Sequence, residues 1–388
     1  MSRNIRAYFL SLVAICASAV PASTQITSSS AAGSATTSSS PVAFIYVSSY
    51  QGNNASVIQG YAASTNGTLT RMPGAPFRWS VNYLAATRNW LFGIKSTDPA
   101  SGQQLIDSFS IAANGVLAKK NEVDASTSGG ALVSLFLDHT GSTLYADSYD
   151  ANNSYLGYKV NHSTGSLSFV DVLQGGPANN PRVSFIGNNI YAYGSSCYHF
   201  DPAIIGVQRA SDGTLSYVNG NQTLPVEKSG GFYCPWLAAA DPTNHLAIAL
   251  QPFNSDWSND GPWQLASYTV DASGNVTTES TVENMPSIGV GSVTDYRMSP
   301  SGKYLAVGGV SGLQIFRFHG ANPITKFTGL LTASPITQLY WDNANHLYAI
   351  SQTAGKLYVY SVSSTQVTRA PGSPHIITVP QNMIVIPR

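Results

Sequence analysis

Arg182, His199, Asp147 and Trp236 are the residues of this chain whose types and places suit them to a ligand or a reaction. Arg182 stands in Asn180-Pro181-Arg182-Val183-Ser184-Phe185, at the start of a strand-like segment. A guanidinium held there can grip a carboxylate through two parallel hydrogen bonds. His199, in Cys197-Tyr198-His199-Phe200-Asp201, and Asp147 are the candidates for moving a proton. Trp236 can stack on a sugar ring or serve as packing between sheets. His139, His162, His245 and His346 fall in turn sequences, where an imidazole is ordinarily solvated. The chain has no G-x-S-x-G elbow, no H-E-x-x-H and no Walker loop. Catalytic residues therefore stay unassigned, and no metal or cofactor is expected.

The elements that must position these residues repeat. A short apolar strand motif occurs at Ile45-Tyr46-Val47, Leu91-Phe92-Gly93, Leu144-Tyr145-Ala146, Ile190-Tyr191-Ala192, Leu246-Ala247-Ile248, Leu305-Ala306-Val307 and Leu347-Tyr348-Ala349. Its copies start 42 to 59 residues apart. A period near fifty, filled with short strands, describes units that bury their faces only against one another. One unit is clear in residues 132–170, with strands at Leu132–Leu137, Thr143–Asp147, Tyr155–Val160 and Ser166–Val170. Asp138-His139-Thr140-Gly141 and Asn161-His162-Ser163-Thr164-Gly165 supply two of its turns. Other units turn at Asn66-Gly67, Asn114-Gly115, Asp212-Gly213 and Ser273-Gly274, dipeptides suited to tight hairpins.

Four antiparallel strands in a meander make one blade of a propeller. The sequence thus predicts an all-β fold, a seven-bladed β-propeller of four-stranded antiparallel blades over residues 41–388. A first strand is missing before Ile45, and an extra one, Asn382–Ile386, follows the seventh unit. Closure is expected by the C-terminal strand completing blade 1, which removes both open edges.

The chain's beginning reads as a secretory signal over residues 1–22. Arg3 and Arg6 precede the apolar run Ala7–Val20, which at 14 residues is too short to span a ~30 Å hydrocarbon layer. Residues 23–40 hold 12 Ser or Thr and no charge, the composition of a disordered spacer. A secreted or extracellular protein, cell-surface associated if the spacer tethers it, is the expected localisation. Sequons at Asn54, Asn66, Asn152, Asn161, Asn221 and Asn275 fit N-glycosylation on that route. Cys16 leaves with the signal, so an oxidising compartment permits a Cys197–Cys234 disulfide. Lys plus Arg equals Asp plus Glu at 19 each, and charged residues are 10% of the chain. That balance argues against nucleic acid and anionic membranes, which need a basic surface. No other segment approaches 18 continuous apolar residues, so no membrane span is expected, and the protein is read as a monomer.

No Trp-Asp pair closes the third strands, and only Gly308-Gly309 follows a second strand, so neither the WD40 nor the kelch pattern applies. The phrasing Phe44-Ile45-Tyr46-Val47-Ser48, Ile58-Gln59-Gly60-Tyr61 and Asn66-Gly67-Thr68-Leu69-Thr70 instead resembles the lactonase-type seven-bladed propellers. That group includes 6-phosphogluconolactonase and the fungal carboxymuconate-lactonising enzyme, a cyclase. Asp212-Gly213-Thr214-Leu215 and Met298-Ser299-Pro300-Ser301-Gly302-Lys303-Tyr304-Leu305 echo it, and the resemblance covers residues 42–388. It implies a ligand in the central mouth, held at the starts of inner strands and the ends of second strands. The family's Pro-Arg-His is met by Pro181 and Arg182, with Val183 or Arg182 where the imidazole belongs. Its Asn-Glu pair falls on Ser195-Ser196 or Cys197, a further His on Val133 and an Arg on Val310.

Three functions follow. A divergent lactonase or muconate-type cyclase would use Arg182 with His199 or Asp147 as acid or base. A secreted glycoprotein would bind a small anionic or polyhydroxylated ligand, a carbohydrate or a surface partner through Arg182 and Trp236, without turnover. A structural surface protein would be tethered by its spacer. The lost His and Glu positions favour the second and third.

Overall fold

The computed structural model describes residues 40–52, 55–95, 103–126, 130–149, 154–175, 183–198, 201–218 and 222–388. The signal segment, nearly all of the spacer, Arg182, His199, Asn54, Asn152 and Asn221 lie outside the described residues.

The repeated motif is the second strand of each blade. It reads as an apolar run because neighbouring blades cover both of its faces. Tyr304–Gly309 and His346–Ser351 are buried at every position, whereas the outer strand Leu117–Asp124 alternates between shielded and open sites. The described strands form seven antiparallel sheets. Their inner strands are Pro380–Pro387 for blade 1, then Val81–Ala86, Ala131–Leu137, Ser184–Phe185, Phe232–Ala240, Val293–Met298 and Gln338–Trp341 for blades 2 to 7. Blade 7 gains a short fifth strand, His375–Ile376, against Lys356–Val362.

Closure is by the C-terminal strand, as the sequence predicts. Pro380–Pro387 pairs antiparallel with Ala43–Gly52, setting Ala43 opposite Pro387 and Ser48 opposite Asn382. Apolar clusters fill each of the seven blade interfaces. The last joins Ile45, Val47 and Val385 of blade 1 to Tyr348, Ile350 and Val359 of blade 7. A ring with seven filled interfaces leaves no end to cap.

Polar struts fix one blade to the next. The buried hydroxyls of Tyr46, Tyr145 and Tyr193 donate to the carbonyls of Gly115, Gly213 and Gly274, at 2.7, 2.7 and 3.0 Å. Each acceptor lies in the following blade's hairpin, at φ of +82°, +101° and +84°, a conformation glycine adopts without a Cβ penalty. The turns after inner strands are held by their own side chains. Asp342 accepts the Ala344 and His346 N–H groups, both at 2.8 Å. His346 differs from the solvated turn histidine expected of it. It starts the strand His346–Ser351, is 2% exposed, and its Nδ1 lies 2.8 Å from Asp342, whose carboxylate compensates its burial.

Candidate functional site at the central channel

The inner strands edge a central channel, and several are irregular at their beginnings. Register shifts fall between Asn82 and Ala85, Leu132 and Ser134, Pro235 and Leu237, and Val293 and Asp295. Another shift, where the C-terminal strand meets Ser48 and Ser49, leaves Gln381 over. Each bulge inserts residues without a cross-strand partner: Tyr83 with Leu84, Val133, Trp236, Thr294 and Gln381. A bulge bends its strand and re-aims the extra side chain. Five blades therefore carry a residue without a cross-strand partner toward the starts of their inner strands, the end where the resemblance puts a ligand. Tyr83 pays in backbone geometry, with φ at +50°. The position that the family gives to His is the bulged Val133, and Val310 is half exposed beyond its second strand.

Trp236 is the largest of these re-aimed residues, and it is held rather than loose. Its indole Nε1 donates to Gln251 Oε1 at 2.9 Å, and its ring centre lies 5.8 Å from that of Trp263. The Gln251 amide in turn donates to Asn259 Oδ1. Toward the start of the same inner strand, Phe232 stacks on Phe253 at 5.4 Å and meets the Trp257 ring edge-on at 5.2 Å. Trp257 is 49% exposed and sits at φ +73°, in a loop closed by Asn254 and Ser258. Aromatic faces beside amide groups can stack on a sugar ring and hydrogen-bond its hydroxyls.

Asp147 lies within Thr143–Tyr149, opposite Ser134 on the inner strand and Tyr155 on the third. It is 7% exposed. Burial, and after it the Asp147 charge, pushes the Tyr155 hydroxyl well above its ordinary pKa. Whether Asp147 meets Arg182 and His199 is a matter of residues outside the described set. Cys197 and Cys234 form a disulfide between blades 4 and 5, with Cα atoms 5.5 Å apart. Of the sequons, Asn66 and Asn161 are exposed and Asn275 is partly so. Among the described residues no group of three or more His, Cys, Asp or Glu could hold a metal, and no helix is long and apolar enough to cross a membrane.

The channel's other end is lined by residues of no recognised motif. A cavity of about 280 Å³ there is walled by all seven inner strands, from Ile384 of blade 1 to Tyr340 of blade 7. Arg297 is the one cation in its described wall, with His139, Ser184 and Tyr340 as polar company. The guanidinium lies 4.4 Å over the Tyr340 ring, and its Nε is 3.5 Å from Asp295 Oδ2. That carboxylate also accepts the Leu339 N–H at 2.8 Å. Burial depresses the pKa of His139, although Asp138 and a hydrogen bond to the Phe185 backbone oppose the shift. A pattern that could have flagged the site is Asp295-Tyr296-Arg297, two opposite charges on one face of an inner strand.

Structural comparison is clear on the fold. A 6-phosphogluconolactonase-like protein of Bacteroides fragilis matches with a TM-score of 0.64 at 15% identity, over 91% of this chain and 99% of its own. The periplasmic gluconolactonase of Pseudomonas aeruginosa matches at 0.63 and 16%, over 88% and 98%. A functionally unknown protein of Desulfotomaculum acetoxidans matches at 0.57 and 11%, over 88% and 98%. No protein-family model matches the sequence, and no curated protein matches it.

Proposed function

We propose, from the premise that this chain is built on the seven-bladed fold of the 6-phosphogluconolactonase-like proteins, that it is a secreted glycoprotein binding a small polyhydroxylated or anionic ligand. The site is the mouth at the starts of the inner strands, and the ligand is bound rather than turned over. The observation that carries this reading is Trp236, bulged out of its strand and pinned by Gln251 at 2.9 Å. The bulge frees the half-buried indole from the cross-strand ladder, and Gln251 and Trp263 hold it in place, so its open face can take a ligand without reordering. Arg182 is the anchor proposed for a carboxylate, from its sequence position. Binding without turnover follows from Val133 and Ser195-Ser196, which stand where the family has groups able to exchange protons.

The test is tryptophan fluorescence of the secreted protein titrated with neutral monosaccharides and sugar lactones, beside a lactone-hydrolysis assay. Saturable quenching is expected, weakened about tenfold or more in Trp236→Ala, for a stacking contact of ~1–1.5 kcal/mol beyond the buried area. Hydrolysis above the spontaneous rate, persisting in Arg182→Ala, would show a working lactonase and sink the binding-only reading.

A further inference from the structure

We infer that the sugar held at Trp236 is one unit of a neutral, flat glycan chain, and that Trp257 is the chain's second stacking station. The inference rests on the reading that the mouth binds a sugar, and it extends that ligand along blade 5. Both indoles stand at the mouth end of this blade. Trp236 is in the inner strand Phe232–Ala240, and Trp257 is in the loop after the second strand His245–Phe253.

Trp257 is 49% exposed, yet its backbone is held at φ +73°, a conformation that bulky residues rarely adopt. Gly or Asn would fit that backbone with little strain and would leave no indole in water. The folding of the loop therefore does not call for Trp. Non-glycine residues kept at positive φ gather where a ligand is clamped. The loop is also well held. The Trp257 N–H donates to the Asn254 carbonyl at 3.1 Å, and Asn254 Nδ2 donates to Ser258 Oγ at 2.7 Å. An isolated antiparallel bridge pairs Phe253 with Asn259 at the loop's neck. The Phe232 ring, stacked on Phe253, meets the indole edge-on and braces it.

A row of contacts joins the two indoles. Trp236 Nε1 donates to Gln251, the Gln251 amide donates to Asn259 Oδ1, and Asn259 lies opposite Phe253. Asn259 is exposed and gives its oxygen to Gln251, so its amide N–H groups can meet hydroxyls along the way. Phe232, against which Trp257 rests, starts the inner strand four residues before Trp236, about 13 Å along the strand. One sugar ring does not cover that span, whereas a chain does. Charge limits the chain to a neutral one. Residues 232–264 contain no Lys or Arg, and Asp256 and Asp260 are exposed beside the indole, so a uronate or sulfated glycan would meet carboxylates. Stacking further selects the flat C–H face that an all-equatorial, β-linked glucose chain presents.

The test is calorimetric titration of the full secreted protein with glucose, with cellohexaose and with a galacturonic acid oligomer of equal length. Cellohexaose is expected to bind about tenfold or more tighter than glucose, for one added stacking contact. Trp257→Ala should remove that gain and leave glucose binding as in the parent, while Trp236→Ala weakens both. Trp257→Gly, which relieves the positive φ, should also lose the gain and melt no lower than the parent, so that the loss is not one of folding. Cellohexaose bound no tighter than glucose, or bound with its full gain by Trp257→Ala, would overturn this inference and leave the Trp236 reading standing. A gain lost in Trp257→Ala but untouched by Trp236→Ala would support the Trp257 station and sink that reading. The galacturonic acid oligomer binding as tightly as cellohexaose would overturn the neutral class.

Discussion

Truncating the chain after Gln381 removes most of the strand that closes the ring. The lost segment carries Met383, Ile384, Val385 and Ile386, exposed by 0, 8, 6 and 4%. Burying each such side chain is worth ~1.5–3 kcal/mol, or about 6–12 kcal/mol together. That matches the ~5–15 kcal/mol by which a whole domain is stable. The loss is divided between two interfaces, since Met383 and Val385 pack toward blade 7 while Ile384 and Ile386 pack toward blade 2. Ala43–Gly52 also becomes an open edge, a template for pairing with other chains. The expected outcome is a protein that aggregates or melts far below the parent, read by circular dichroism and size-exclusion chromatography. A synthetic peptide of residues 380–388 should restore part of the lost melting temperature. A truncated protein that melts within about 2 °C of the parent would refute the argument, because no ring can lose one inner strand so cheaply.

Three further outcomes are expected. Replacing Cys197 and Cys234 by Ser should destabilise the protein by ~2–4 kcal/mol in denaturant titration, and mass spectrometry of non-reduced protein should find neither thiol free to alkylate. Burial alone would raise the Asp138 carboxyl, but bonds from Thr140, Thr143 and Asn189, with the Arg209 charge, hold it below the usual carboxylate range. Its contribution is therefore present above the unfolded value of ~3.9 and is lost as pH falls through the lower folded value. Asp138→Asn should weaken the protein at pH 7 and flatten its loss of stability in acid, and equal acid sensitivity in both proteins would discount the pair. Enzymatic removal of N-glycans from protein secreted by a eukaryotic host should convert Asn66 and Asn161 to Asp in peptide mass maps. Occupancy should be lower at Asn275, whose amide is engaged by Asp271 at 2.6 Å.

The number of blades, their strand order and the closing strand were legible in the chain because they rest on local chemistry. A second strand buried on both faces must be apolar along its length, and Asn-Gly or Asp-Gly must stand where a hairpin needs positive φ. The missing strand before Ile45 and the surplus one at Asn382–Ile386 completed that reading. Trp236 was legible as a residue near an inner strand's start, but not as a bulge. A bulge is defined by what the partner strand lacks, and Trp236 is inserted between the pairs Pro235 with Leu250 and Leu237 with Ala249. His346 read as a solvated turn residue because burial depends on blades 7 and 1 meeting around it. Arg297, His139 and Tyr340 come from blades 6, 3 and 7, and no spacing along the chain relates them. Local pattern sets which strands form and how they turn. Only the closed ring decides which side chains share the channel, because that convergence depends on every blade taking its place around one axis.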